Sequence, residues 1–149
     1  MRRSSRWLVI VTVAAGMAAC TATADQETNE ADYLPELATI CTETRETFDA
    51  LPDPPDQISI ADFATEASNA LATESERVRR LDPPGDLDDD HRAFIRNTDE
   101  QAAAWAELAS LPAGTADALE PIVTNIGELT LGRNDLALEM GVVECQRSP

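Results

Sequence analysis

From Tyr33 onward apolar residues recur at helical spacing, and proline-rich breaks divide the pattern into four segments. In the first, Tyr33, Leu37, Ile40, Cys41, Thr44, Phe48 and Leu51 fall on one stripe that stops at Leu51-Pro52-Asp53-Pro54-Pro55. The second opens at an N-cap candidate, Ser59, runs through Phe63, Ala64, Ala67, Leu71, Val78 and Leu81, and ends at Asp82-Pro83-Pro84-Gly85. Its small residues allow a neighbouring helix to approach closely. The third starts near Asp86 and carries Leu87, Phe94, Ile95, Ala102, Trp105 and Leu108 as far as Leu111-Pro112-Ala113-Gly114. In the fourth, Leu119, Ile122, Val123, Ile126 and Leu129 form a stripe, but Pro121 lies near its start and Gly127 and Gly132 weaken it. A kink or break is expected around Gly132-Arg133-Asn134-Asp135, with helix resuming from Leu136 to Met140. Gly141 then takes the left-handed cap position and Val142 to Cys145 turn back toward the first helix. No run alternates at period two and the connections are short, so the expected fold is all-α, an antiparallel four-helix bundle.

The N-terminus changes the picture from a domain to an exported domain. Arg2, Arg3 and Arg6 precede an apolar run from Trp7 to Ala19, too short to span a bilayer comfortably, and Ala18-Ala19 supplies the small residues of a cleavage site. Residues 1–19 therefore read as a signal peptide. Two cleavage routes compete. In one, Met17-Ala18-Ala19-Cys20 resembles the lipobox of bacterial lipoproteins, which implies that Cys20 is joined to a lipid and becomes the new N-terminus; in the other, Ala22-Thr23-Ala24 is a small-x-small site that releases a free, secreted protein starting at Asp25. The first is preferred because the apolar run stops directly at Cys20. Residues 20–31 are polar, acidic and without periodicity, which predicts a flexible tether ahead of a bundle domain spanning 32–149.

With Cys20 lipidated or removed, Cys41 and Cys145 remain as an even pair in an oxidising compartment, the condition for a structural disulfide. One staple would tie the first helix to the C-terminus and stabilise the fold by about 4 to 5 kcal/mol on the chain-entropy argument. With Met17-Ala18-Ala19-Cys20, Ile40-Cys41, the two Pro-Pro turns and the stretch from Met140-Gly141 to Cys145, the chain resembles small helical lipoproteins of actinobacteria. The resemblance implies a lipid-anchored location on the outer face of the cell membrane and a helical fold, and brings no activity with it.

Charge excludes several partners. The formal charge of −17 includes three arginines and no acid in the first 24 residues, so either cleavage route leaves a mature domain at −20. Such a domain repels nucleic acid and anionic headgroups. Every basic residue apart from His91 is arginine, which suits a high-GC genome and removes Schiff-base lysines, Ser-Lys dyads and the P-loop lysine. The chain has no G-x-G-x-x-G, G-x-S-x-G, H-E-x-x-H or C-x-x-C motif and one histidine, so the expectation is a protein without catalysis, resident metal or cofactor.

Three groups of polar residues invite a sharper reading. Asp86, Asp88 and Asp90 share the spacing of the first three ligands of an EF-hand loop, but His91 stands where that loop needs glycine and Asn97 where it needs glutamate. Stabilisation of a helix start is the preferred reading, and weak Ca²⁺ binding the alternative. His91 is expected to be a partly exposed polar residue rather than a pH sensor. Arg133 would lie on the inward face if the fourth stripe continued, and would then need a carboxylate, with Thr98 and Gln101 in the same polar patch lining a small cavity. A break at Gly132 with Arg133 in solvent is preferred. On the second helix Glu76–Arg80 and Glu74–Arg77 are expected to form exposed helix-supporting pairs. Two functions are carried forward: a non-catalytic envelope domain that contacts a protein or wall component, and a small-ligand or cation carrier.

Overall fold

The computed structural model describes residues 21–52, 59–112 and 116–148, without the side chains of 21–31 and Ala116. Cys20 and the signal segment lie outside the described residues, as do the Pro54-Pro55 and Ala113-Gly114 breaks. The chain forms four helices, α1 (Thr21–Asp49), α2 (Ile60–Val78), α3 (Asp88–Ala109) and α4 (Ala116–Glu139), followed by a 3-10 turn (Val143–Cys145). No strand occurs among the described residues.

Local chemistry sets the boundaries. Ser59 caps α2, its hydroxyl oxygen accepting the Asp62 amide at 3.1 Å. Gly141 sits at φ 76° after α4. The Val142 amide reaches the Ala137 carbonyl at 2.8 Å and the Gly141 amide reaches Leu138 at 3.0 Å, the paired bonds of a Schellman ending. That turn sends Cys145 back to Cys41, and the two form a disulfide across 104 residues with Cα atoms 4.9 Å apart.

The helices are longer than the apolar stripes that mark them, and the break expected at Gly132 is corrected. Backbone helix begins at Thr21, so α1 takes in residues 21–31. This stretch holds neither glycine nor proline, so little opposes propagation from the packed turns that follow. Likewise α4 runs unbroken through Gly132 to Glu139. Arg133 supplies the reason: its buried contacts outweigh the roughly 1 kcal/mol that glycine costs a helix.

Helices α1, α2, α3 and α4 pack in sequence order, and the 3-10 turn bridges α1 and α4. The apolar core falls into two clusters. One gathers Tyr33, Leu37, Ile40 and Cys41 of α1 with Phe94, Ile95, Ala137, Met140, Val142 and Cys145. The other joins Ala64, Ala104, Leu108, Ile122 and Ile126. Along three helices buried polar residues other than His91 fall between them: Glu74 and Ser75 between Ala64 and Val78, Thr98 and Gln101 between Ile95 and Ala104, Thr130 and Arg133 between Ile126 and Ala137. A polar layer thus separates two apolar ones.

Candidate functional site

Arg133 is the largest fully buried side chain and the centre of that layer, so the expectation that it points to solvent is overturned. Its Nε donates to the Cys145 carbonyl at 3.1 Å and its Nη1 to Thr98 Oγ1 at 2.9 Å. Its Nη2 donates to Glu74 Oε1 and lies 3.6 Å from Cys41 Sγ. The guanidinium also stacks 4.4 Å from the Phe94 ring centroid. One arginine from α4 therefore touches α1, α2, α3 and the terminal turn.

Glu74 answers two cations. Its second oxygen accepts from Arg147 Nη2 at 2.7 Å, and Arg147 lies 4.7 Å from the Phe48 ring centroid. The main chain of Arg147 is clamped by Asn134, whose amide group donates to its carbonyl and accepts its N–H, both at 2.8 Å. Burial lowers the Arg147 pKa to about 10, and the nearby charge of Arg133 adds to the effect while Glu74 opposes it. Thr98 completes the layer by donating to the Phe94 carbonyl at 2.9 Å. Among the described residues no buried side-chain nitrogen or oxygen lacks a hydrogen-bond partner. The arrangement is self-satisfied, and a site built to receive a polar ligand would hold donors or acceptors in reserve.

Gln101 belongs to the same layer but points elsewhere, donating to Asn97 Oδ1 at 2.6 Å and to the Leu129 carbonyl at 3.3 Å. Thr98 and Arg133 are in direct contact, so the cavity expected beside them is occupied by the arginine. Glu74 was expected on the surface with Arg77. The structure instead buries Glu74 and pairs Arg77 with Glu43 of α1, whereas the Glu76–Arg80 pair forms at 3.5 Å on the exposed face. A sequence cue existed. Glu74 stands three residues after Leu71 and four before Val78, squarely on the apolar stripe, and Arg133 is the one base on the matching stripe of α4.

His91 is also buried, contrary to expectation, because it follows Leu87 by four residues and precedes Ile95 by four. Its Nδ1 lies 2.9 Å from the Tyr33 hydroxyl, and the rings meet edge to face with centroids 5.7 Å apart. Burial lowers the His91 pKa, with Asp88 opposing and Arg92 assisting. Burial, helped by Asp90, raises that of Tyr33 to about 12. The hydroxyl and Nδ1 can each donate or accept in this bond, according to the ring tautomer.

The aspartates stand at the start of α3. Asp88, Asp89 and Asp90 occupy the first turn of α3, where the helix dipole favours them, and Leu87 at the cap position makes no side-chain bond. Asp88 and Asp89 both accept from Arg92, at 2.6 Å each. Among the described residues no group of three or more His, Cys, Asp or Glu side chains is placed to hold a metal ion. The described residues form open grooves. One of about 300 Å³ lies between α3 and α4 beside Glu100, Glu107 and Asn125, and one of about 350 Å³ lies between α1 and α2 beside Glu43, Glu66 and Asn69. No described helix is long and apolar enough to cross a membrane. Comparison with protein-family models, curated proteins and solved structures gives no match for this chain.

Proposed function

We propose that this chain is an exported cell-envelope domain, held at the outer face of the membrane by lipid on Cys20, that works through contact with another protein or a wall component and without catalysis. The Cys41–Cys145 disulfide carries the reading. It is buried, closes the polar layer, and belongs to the chemistry of an oxidising compartment, in keeping with an N-terminus that ends its apolar run at Cys20. The self-satisfied core supports a structural role for the buried charges, since Glu74, Arg133 and Arg147 spend their hydrogen bonds on one another and on the chain.

The decisive measurement is the intact mass of the native protein from separated membrane and culture fractions, before and after reduction. A lipid-modified chain beginning at Cys20 that gains two protons on reduction is expected. An unmodified chain beginning at Asp25 replaces the anchored protein with a diffusible one, and a chain that retains residues 1–19 or gains no protons overturns the reading. A small-ligand or cation carrier is the second reading, favoured by the α3–α4 groove with its paired Glu100 and Glu107. A ligand-dependent rise in melting temperature that is lost in Glu100→Gln with Glu107→Gln would move the assignment there.

A further inference from the structure

The outward side of α4 is unlike that of any other helix. Among the described residues five large apolar side chains are exposed, and four of them, Val123 (51%), Leu131 (54%), Leu138 (56%) and Val143 (57%), lie on α4 or directly after it. At 100° per residue Val123, Leu131 and Leu138 fall within an arc of about 80°, along about 22 Å of helix. This arc is separate from the face that buries Ile122, Ile126, Arg133 and Ala137. Gly127 lies inside it, and a Cβ there would meet nothing within 4 Å, so the stripe has an open notch between Val123 and Leu131. The contacts of α4 with the rest of the bundle are made from its buried side, through Ile122, Ile126, Arg133 and Ala137, and among the described residues this exposed arc is left uncovered.

Its charge is equally lopsided. Asp117, Glu120, Glu128, Asp135 and Glu139 are exposed on α4, Glu144 follows, and the helix's one base, Arg133, is buried. On α1, α2 and α3 exposed arginines answer some of the acids, as in Glu43–Arg77, Asp99–Arg79, Glu76–Arg80 and the two aspartates on Arg92, whereas α4 exposes no arginine. None of the α4 acids forms an ion pair with a described residue. An apolar stripe bordered by unpaired carboxylates is complementary to one kind of surface. A second copy would bring the same acids to the contact, and an anionic lipid surface would be repelled in the same way.

We infer that the outer face of α4 is a docking surface for a cationic amphipathic helix of a partner protein. Apolar side chains of that helix at i, i+3 or i+4, and i+7 would lie along Val123, Leu131 and Leu138 with one entering the Gly127 notch, and its lysines or arginines would meet Glu128, Asp135 and Glu139. The inference rests on the proposed interaction role and names the surface and the partner chemistry for it.

The test uses the intact protein and a labelled leucine–lysine peptide of about 18 residues, leucines at helical spacing, followed by fluorescence anisotropy. Leu131→Ser with Leu138→Ser, both exposed and expected to leave the melting temperature unchanged, should weaken binding about tenfold or more. Glu128→Gln, Asp135→Asn and Glu139→Gln together should weaken it to a similar extent at low salt and flatten its salt dependence. Glu36→Gln, Glu46→Gln and Glu66→Gln on α1 and α2 should leave it unchanged. Equal binding by the double leucine variant, or equal loss in the α1–α2 variant, would reduce the effect to diffuse acidity and overturn the inference. So would a concentration-dependent dimer of the protein alone that Leu131→Ser abolishes. The mass and fractionation result decides the envelope role separately, so failure of one does not resemble failure of the other.

Discussion

The two apolar clusters are held in different ways. Around Cys41, Phe94 and Cys145 the packing uses bulky residues and is locked by a disulfide, a Schellman turn and an arginine that contacts four other elements. Around Ala64, Ala104 and Ile126 the contacts are smaller and purely apolar, and the aromatic contribution comes from the half-buried Trp105 beside Phe48 and Phe63. The first depends on residues remote in sequence meeting at defined distances; the second depends on area. A domain of this size has a core too modest to hold its C-terminus by apolar contact alone, so the tail is fixed by a covalent bond and by ions instead.

Removing the staple should have the largest effect. Cys41→Ala with Cys145→Ala is expected to cost about 4 to 5 kcal/mol in denaturant melts. Amide exchange should accelerate first in residues 142–148 and the adjoining turns of α1, and uniform acceleration in both clusters would break the comparison. Arg133→Met comes next, at about 3 to 5 kcal/mol, because it leaves Glu74 buried with Arg147 as its remaining cation. Adding Glu74→Leu should recover part of that loss, and a double variant as unstable as the sum of both would show the ions act independently. In the other cluster Leu108→Ala should cost about 2 to 4 kcal/mol by cavity formation, by the same amount in oxidised and reduced protein.

The smallest effect is a pH dependence at His91. Burial lowers its pKa below 6.5 in the folded chain, so the unfolded chain takes up its proton first as pH falls. The stability contributed by the neutral ring is complete above pH 6.5 and is lost as pH drops through the folded pKa. Between about pH 7.5 and about pH 5 the wild type should therefore lose more stability than His91→Phe, which also sheds the Tyr33 bond at both values. Parallel pH curves for the two proteins would remove the histidine from the account.

The correct and incorrect readings divide along one physical line. Ser59, Gly141 and the Pro-Pro turn at Pro83-Pro84 were legible because capping and chain reversal depend on neighbours within a few residues. The Cys41–Cys145 pair was legible by elimination, on the reading that Cys20 is either lipidated or removed. Residues judged by their own polarity were misplaced. Arg133 and His91 were assigned to partial or full exposure and Glu74 to a surface pair, although all three stand on apolar stripes. Their partners are 59 residues away for Arg133 with Glu74 and 58 for His91 with Tyr33, and no local pattern reports such a pairing.

By itself the sequence determined the number of helices, where most of them end, the cysteine pairing and a strongly acidic net charge, because helical periodicity, turn chemistry and net charge are local or summed properties. Only the tertiary structure decided which charges are buried, that α4 passes straight through Gly132, and which helix face is left uncovered. Each of these depends on whether a distant group arrives to compensate desolvation or to cover apolar surface, and that is settled when the helices meet.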